Sequence, residues 1–140
     1  MNNPEVPDWE CQVELRIVGF DGSPNSITAA LGLQPSRAWV ANDPEVKGPL
    51  GKEGGWILKS ELPTTCTPAD HVMALLGKLP RGLDVLGTVR GWHGFFLCAV
   101  YVRSSTPPIF LEAPLIAAIA KLGIGLDVDL YVCPVSTQSR

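Results

Sequence analysis

The chain of 140 residues and 15.0 kDa has room for one domain. At that length, burial of roughly two thirds of the unfolded chain's surface supports an ordinary apolar core. With 46% hydrophobic and 18% charged residues it is not a charge-rich disordered chain, and no apolar run approaches the ~20 residues of a membrane helix. Eleven Lys and Arg against fourteen Asp and Glu give a net charge of −3. With no basic cluster, this argues against nucleic acid as a partner.

Met1 to Trp9 carry neither the basic start nor the apolar stretch of a secretory signal, so a cytoplasmic protein is expected. The expected organisation is a single domain over 1–140, with an ordered core at about 10–133 and flexible tails at 1–9 and 134–140. Cys11, Cys66, Cys98 and Cys133 are far apart, and three fall in strand-like apolar runs. They read as reduced structural thiols, and neither a cofactor nor a metal is expected.

Cys11 to Gly19 alternates apolar and polar residues, the period of a strand with one buried face. A turn at Asp21–Pro24 leads to a short helix carrying Ile27, Ala30 and Leu31, with Ser23 or Ser26 as its cap and Gly32 as its left-handed stop. Residues 34–54 are rich in Pro and Gly and show no period; a loop of that length in a small domain is often functional. It has room for a short strand at Arg37–Val40, and Gly55–Ser60 reads as a further strand.

Thr67-Pro68-Ala69-Asp70 is a helix start, with a capping hydroxyl, a first-turn proline and an acidic residue near the dipole. Val72, Leu75, Leu76 and Leu79 then make a helical stripe, which Pro80 should end. A second helical piece is expected around Leu83, Leu86 and Val89. Phe95 to Val102 is apolar on both parities, so a central strand covered on both sides is expected. Ile109–Leu111 suggests a brief edge segment. A helix over Ala113–Leu122 precedes a last strand, in which Leu126, Val128 and Leu130 are expected to be buried opposite Asp127 and Asp129. The fold class is α+β: a two-layer sandwich of one four- or five-stranded sheet with helices mainly on one face, ferredoxin-like as the leading topology.

Three stretches in order carry a family resemblance. Ser26-Ile27-Thr28-Ala29-Ala30-Leu31-Gly32-Leu33-Gln34-Pro35-Ser36, then Gly55-Trp56-Ile57-Leu58-Lys59-Ser60, and the ending Leu115 to Tyr131 with its Leu122-Gly123-Ile124 resemble the bacterial domain of unknown function 4279. The resemblance covers about Glu10 to Val132. It implies a small bacterial α+β domain without an assigned activity, and it transfers no catalytic residue. The family's Ser or Thr helix cap is absent at Leu111-Glu112.

Imidazole chemistry would have to use His71 or His93, the two histidines of the chain. His71, in the first turn of its helix, reads as a surface or boundary residue. His93 has no acid near it in sequence to orient it. Gly51-Lys52-Glu53-Gly54-Gly55 lacks the spacing of a phosphate loop. With no nucleophile–base set, the sequence leans away from an enzyme and towards a regulatory or immunity-type module that binds another protein. Its expected surface is a polar sheet face carrying Arg16, Asp127, Asp129 and Tyr131, with the first and last strands paired so that Arg16 neighbours the aspartates. The alternative is a sensor or enzyme with a pocket between the 34–54 loop and the sheet, lined by Arg37, Trp39, Trp92 and His93. Joining of two copies through a sheet edge is also open to such a fold.

Overall fold

The computed structural model describes residues 6–79 and 82–134. In chain order it contains β1 (Trp9–Val18), α1 (Asn25–Leu31), β2 (Arg37–Trp39), β3 (Gly55–Lys59), α2 (Pro68–Gly77), β4 (His93–Val102), α3 (Ala113–Lys121) and β5 (Gly125–Val132). The strands form one sheet in the order β2-β3-β1-β4-β5. Every neighbouring pair is antiparallel except β4 and β5, which are parallel.

The alternation in β1 organises both layers. Cys11, Val13, Leu15 and Ile17 are buried and share one cluster with Ile27 of α1, Val72 and Leu75 of α2, and Leu115 and Ile119 of α3. All three helices therefore cover this face, here called the helical side. Glu10, Gln12, Glu14 and Arg16 leave β1 on the other, open face. The register extends this division: Phe96, Cys98 and Val100 lie opposite Leu15, Val13 and Cys11 and are buried with them.

The α+β class with one five-stranded sheet is as expected. The ferredoxin-like topology is not reproduced: there each strand–helix–strand crossover skips one strand and all neighbours are antiparallel, whereas here α3 carries the chain from β4 into its immediate, parallel neighbour β5. Four local expectations also change. In β4 only one parity is fully buried; Phe95, Leu97, Ala99 and Tyr101 are half-buried on the open face, because no helix among the described residues covers it. In β5 Leu126, Val128 and Leu130 point to the helical side yet are exposed, since β5 is an edge strand that α3 leaves largely uncovered. Ile109–Leu111 forms no strand, and the helical piece near Leu83 shrinks to a 3-10 turn at Asp84–Leu86. Trp9 already belongs to β1, and the Asp8 carbonyl accepts from the N–H groups of Arg103 and Ser104. Pro80 and residues 1–5 and 135–140, with most of the expected tails, lie outside the described residues.

The helix signals are realised in detail. Thr67 Oγ1 accepts from the N–H of Asp70, whose carboxylate accepts from the N–H of Thr67, so α2 starts with a reciprocal capping box. In α1 the cap position is Pro24, and Ser23 Oγ accepts from the N–H of Asn25 one residue further on. Gly32 closes that helix at φ 69°, a conformation that costs glycine little.

The 34–54 segment is anchored by β2 and by Trp39. The Trp39 ring lies against the Cα of Gly55, its register partner, and its Nε1–H donates to the Glu53 carbonyl at 2.8 Å. Any Cβ at position 55 would overlap the ring. Gly55→Ala should therefore push Trp39 off the sheet and cost about 1–3 kcal/mol, or roughly 5 °C in melting temperature for a domain of this size. An unchanged melting temperature would show that Trp39 does not hold the segment in place.

Candidate functional site

The register places the open-face side chains in rows across the strands. Lys59, Glu14, Leu97 and Asp127 form one row, and Ile57, Arg16 and Phe95 a second. A third contains Gln12, Ala99 and Asp129, and a fourth Glu10, Tyr101 and Tyr131. Arg16 is held by its own strand: its Nε–H donates to Glu14 Oε1 at 2.7 Å, and both side chains are about four-fifths buried. The rings of Tyr101 and Tyr131 stack with centroids 5.2 Å apart and planes 17° from parallel. This cross-strand aromatic pair ties the β5 edge to the sheet.

A shallow depression of about 220 Å³ lies among these groups, lined by Gln12, Glu14, Arg16, Leu97, Tyr101 and Tyr131 among others. Arg16 does not neighbour Asp127 and Asp129 as the sequence suggested. The strand β4 separates β1 from β5, and two strand spacings amount to about 9–10 Å. Among the described residues neither aspartate makes a salt bridge. At the far end of the face, Thr64 donates to Glu10 Oε2 at 2.5 Å and Arg103 pairs with Glu10 Oε1 at 2.8 Å. The Thr64 hydrogen bond, followed by Arg103, holds the Glu10 carboxyl below the usual carboxylate range.

The four residues of the alternative pocket are not assembled. Arg37 and Trp39 do meet on β2, with the guanidinium 5.0 Å from the ring centroid, a cation–π contact. Trp92 packs against the helical-side core. His93 is exposed at the opposite end of the row Trp39, Gly55, Val18, His93 and lies beside Gly19. Strand geometry accounts for this: β3 and β1 stand between β2 and β4.

A second depression of about 190 Å³ shares Gln12 and Glu14 with the first and reaches Ser60 and His71. It forms where β1 and β3 part. Their pairing ends at Glu14 and Lys59, and Glu61 turns the chain at φ 63°. His71 is 1% exposed and not at the surface as its sequence position implied. Its Nδ1 lies 2.6 Å from Ser60 Oγ, and its Nε2 is buried without a hydrogen-bond partner. Burial lowers the His71 pKa; Asp70 and the carbonyls of Cys66 and Pro63 oppose this only in part. Among the described residues no third side chain hydrogen-bonds the ring, so the pair lacks the geometry of a hydrolytic triad. A signal for His71 did exist: it precedes Leu75 by four residues and belongs to the buried stripe Pro68, His71, Val72, Leu75.

The cysteines are free. Burial pushes the Cys11 thiol up to about 12 and that of Cys98 to about 11, far from the thiolate needed of a nucleophile.

The fold and this face define a small α+β domain, with helices on one side of a mixed sheet and an aromatic, charge-bearing surface on the other. The chain belongs to the family described as domain of unknown function (DUF4279), whose family model matches residues 9–133. No curated protein and no solved structure matches it.

Proposed function

We propose that the domain is a non-catalytic recognition module that binds a basic segment of another protein on its open sheet face. The observation that carries this reading is the composition of the surface beside β5. The stacked Tyr101 and Tyr131 adjoin Asp129 in the next row, and Asp127 follows one row further. Neither carboxylate is paired with a cation among the described residues. Aromatic faces with adjacent carboxylates suit Arg and Lys side chains, which stack and pair at once. The net charge of −3 favours the same partners weakly. Arg16, locked to Glu14, forms the floor of the depression, where an incoming side chain or backbone carbonyl meets its remaining donors.

Selection of a random peptide library on the immobilised domain tests this. Enrichment of Arg- and Lys-containing sequences is expected. Asp127→Asn combined with Asp129→Asn should weaken the selected peptides about tenfold or more, in the range of close charge pairs. Circular dichroism should stay unchanged, because neither carboxylate makes a salt bridge within the described fold. Peptides without a basic excess, or equal affinity for the double variant, would exclude this surface.

A further inference from the structure

The helical side of the β5 edge carries apolar surface that no other described residue covers. Leu126 and Val128 are 36% exposed, Leu130 57% and Val132 79%, although Phe96, Cys98 and Val100, the β4 partners of the first three, are fully buried. Above them, α3 is apolar nearly all round: Leu115 and Ile119 point into the core while Ile116 is exposed. A helix of that kind is normally enclosed. Pro114, Leu115 and Ala118 share a depression with Ala69 and Met73 of α2. Ile116, on the opposite flank of the helix, therefore faces away from α2, towards β5.

The strand's outer edge is guarded only by the charges of Asp127 and Asp129. Its eight residues run in unbroken register from Gly125 to Val132, with no proline, lysine or bulge. Natural edges usually have such devices, since free N–H and C=O groups are a template for another strand. The other edge of the sheet, β2, has only three residues and exposes Arg37.

We propose that β5 pairs with β5 of a second copy of this chain, antiparallel about a twofold axis, extending the sheet to ten strands. A twofold perpendicular to the sheet keeps helical sides together, so residues of like parity must face each other. Charge selects among the registers. Centring on Val128 sets Asp127 against Asp129 of the second copy, and centring on Asp129 sets that residue against itself; both are like-charge pairs that destabilise a ladder. Centring on Leu130 places Asp129 opposite Tyr131, Val128 opposite Val132 and Leu130 opposite its own copy. It is the register of greatest overlap that keeps the aspartates apart. In this register the five strand residues Val128–Val132 of each copy face one another, about 16 Å of paired strand, which puts the seam at the small end of specific interfaces. The pairing is isologous, so it closes at two.

Sedimentation and light scattering on the full chain test this. A dimer is expected at micromolar concentration, and Leu130→Lys should return it to monomer; Leu130 is exposed in the single chain, so the variant folds. The register has its own test in a Cys133→Ser background. Leu130→Cys should oxidise to a covalent dimer, because directly opposite residues sit about 4.5–5.5 Å apart, within disulfide reach. Val128→Cys, opposite Val132, should not. A wild-type monomer across the concentration range, a larger open-ended assembly, a dimer that survives Leu130→Lys, or crosslinking through position 128 instead of 130 would each overturn the proposal.

Discussion

Trp56→Ala is expected to be the most damaging single substitution, costing about 3–5 kcal/mol of a total of about 5–15 kcal/mol for a domain. Trp56 is fully buried on the helical side, opposite Ile17 of β1, and its Nε1–H donates to Thr28 Oγ1 at 3.0 Å. It thus joins β3 to α1 by packing and by a polar tie. Truncation would leave a cavity at the junction of two layers and an unused hydroxyl on α1. Urea unfolding should show a midpoint lower by about 2 M. Trp56→Phe separates the two contributions, keeping most of the ring and removing the donor. It should cost clearly less than the alanine, and pairing it with Thr28→Val should give less than the sum of the single effects. A cost of under about 1 kcal/mol for the alanine variant would mean that α1 is not packed on β3 as described.

What could be read from the sequence follows from which forces are local. Periodicity and capping are local, so β1, α2 with Thr67 and Asp70, and the Gly32 stop were legible. The short strand at Arg37–Trp39 was recognisable inside the long loop because β-prone residues there interrupt the Pro and Gly. Burial in β5 was not legible. The alternation of Leu126, Val128 and Leu130 with Asp127 and Asp129 reports which residues share a face, but says nothing of whether a helix lies over that face. The pairing of Arg16 with Glu14, and not with the aspartates, depended on strand order, which only tertiary packing decides. The alternation puts Tyr131 on the face it shares with the aspartates, yet its stack with Tyr101 depends on the parallel β4–β5 register. For His71, polarity points to the surface while position points to the core. In a stripe that continues through Val72 and Leu75, a histidine is carried into the core, where Ser60 gives it a partner.

That burial makes stability fall on mild acidification, with a sign fixed by the His71 environment. Removal from water lowers the ring's affinity for a proton, and Asp70 and the nearby carbonyls restore only part of it. The unfolded chain therefore takes up the proton first as pH falls. The contribution of neutral His71 is fully present above about pH 6.5 and is lost below it, at up to about 1.4 kcal/mol per pH unit, until the folded ring's own pKa is reached. Asp70 on α2 acts on the ring directly, and Glu14, Lys59 and Glu61 line the depression it shares. Lys78 donates to the Ser60 carbonyl at 3.4 Å. The lowered carboxyl of Glu10 acts in a separate window, below its ordinary value of 4.5. His71→Asn keeps a polar group towards Ser60 and does not titrate. The difference in unfolding free energy between wild type and this variant should therefore shrink or reverse between pH 7 and 5.5, as the wild type alone loses stability. His93, exposed and present in both proteins, cancels from that difference. Parallel curves for the two proteins would show that the His71 ring is reached by water in the folded state. The depression at Ser60 would then be an open cleft, and the buried Nε2 would have a solvent partner.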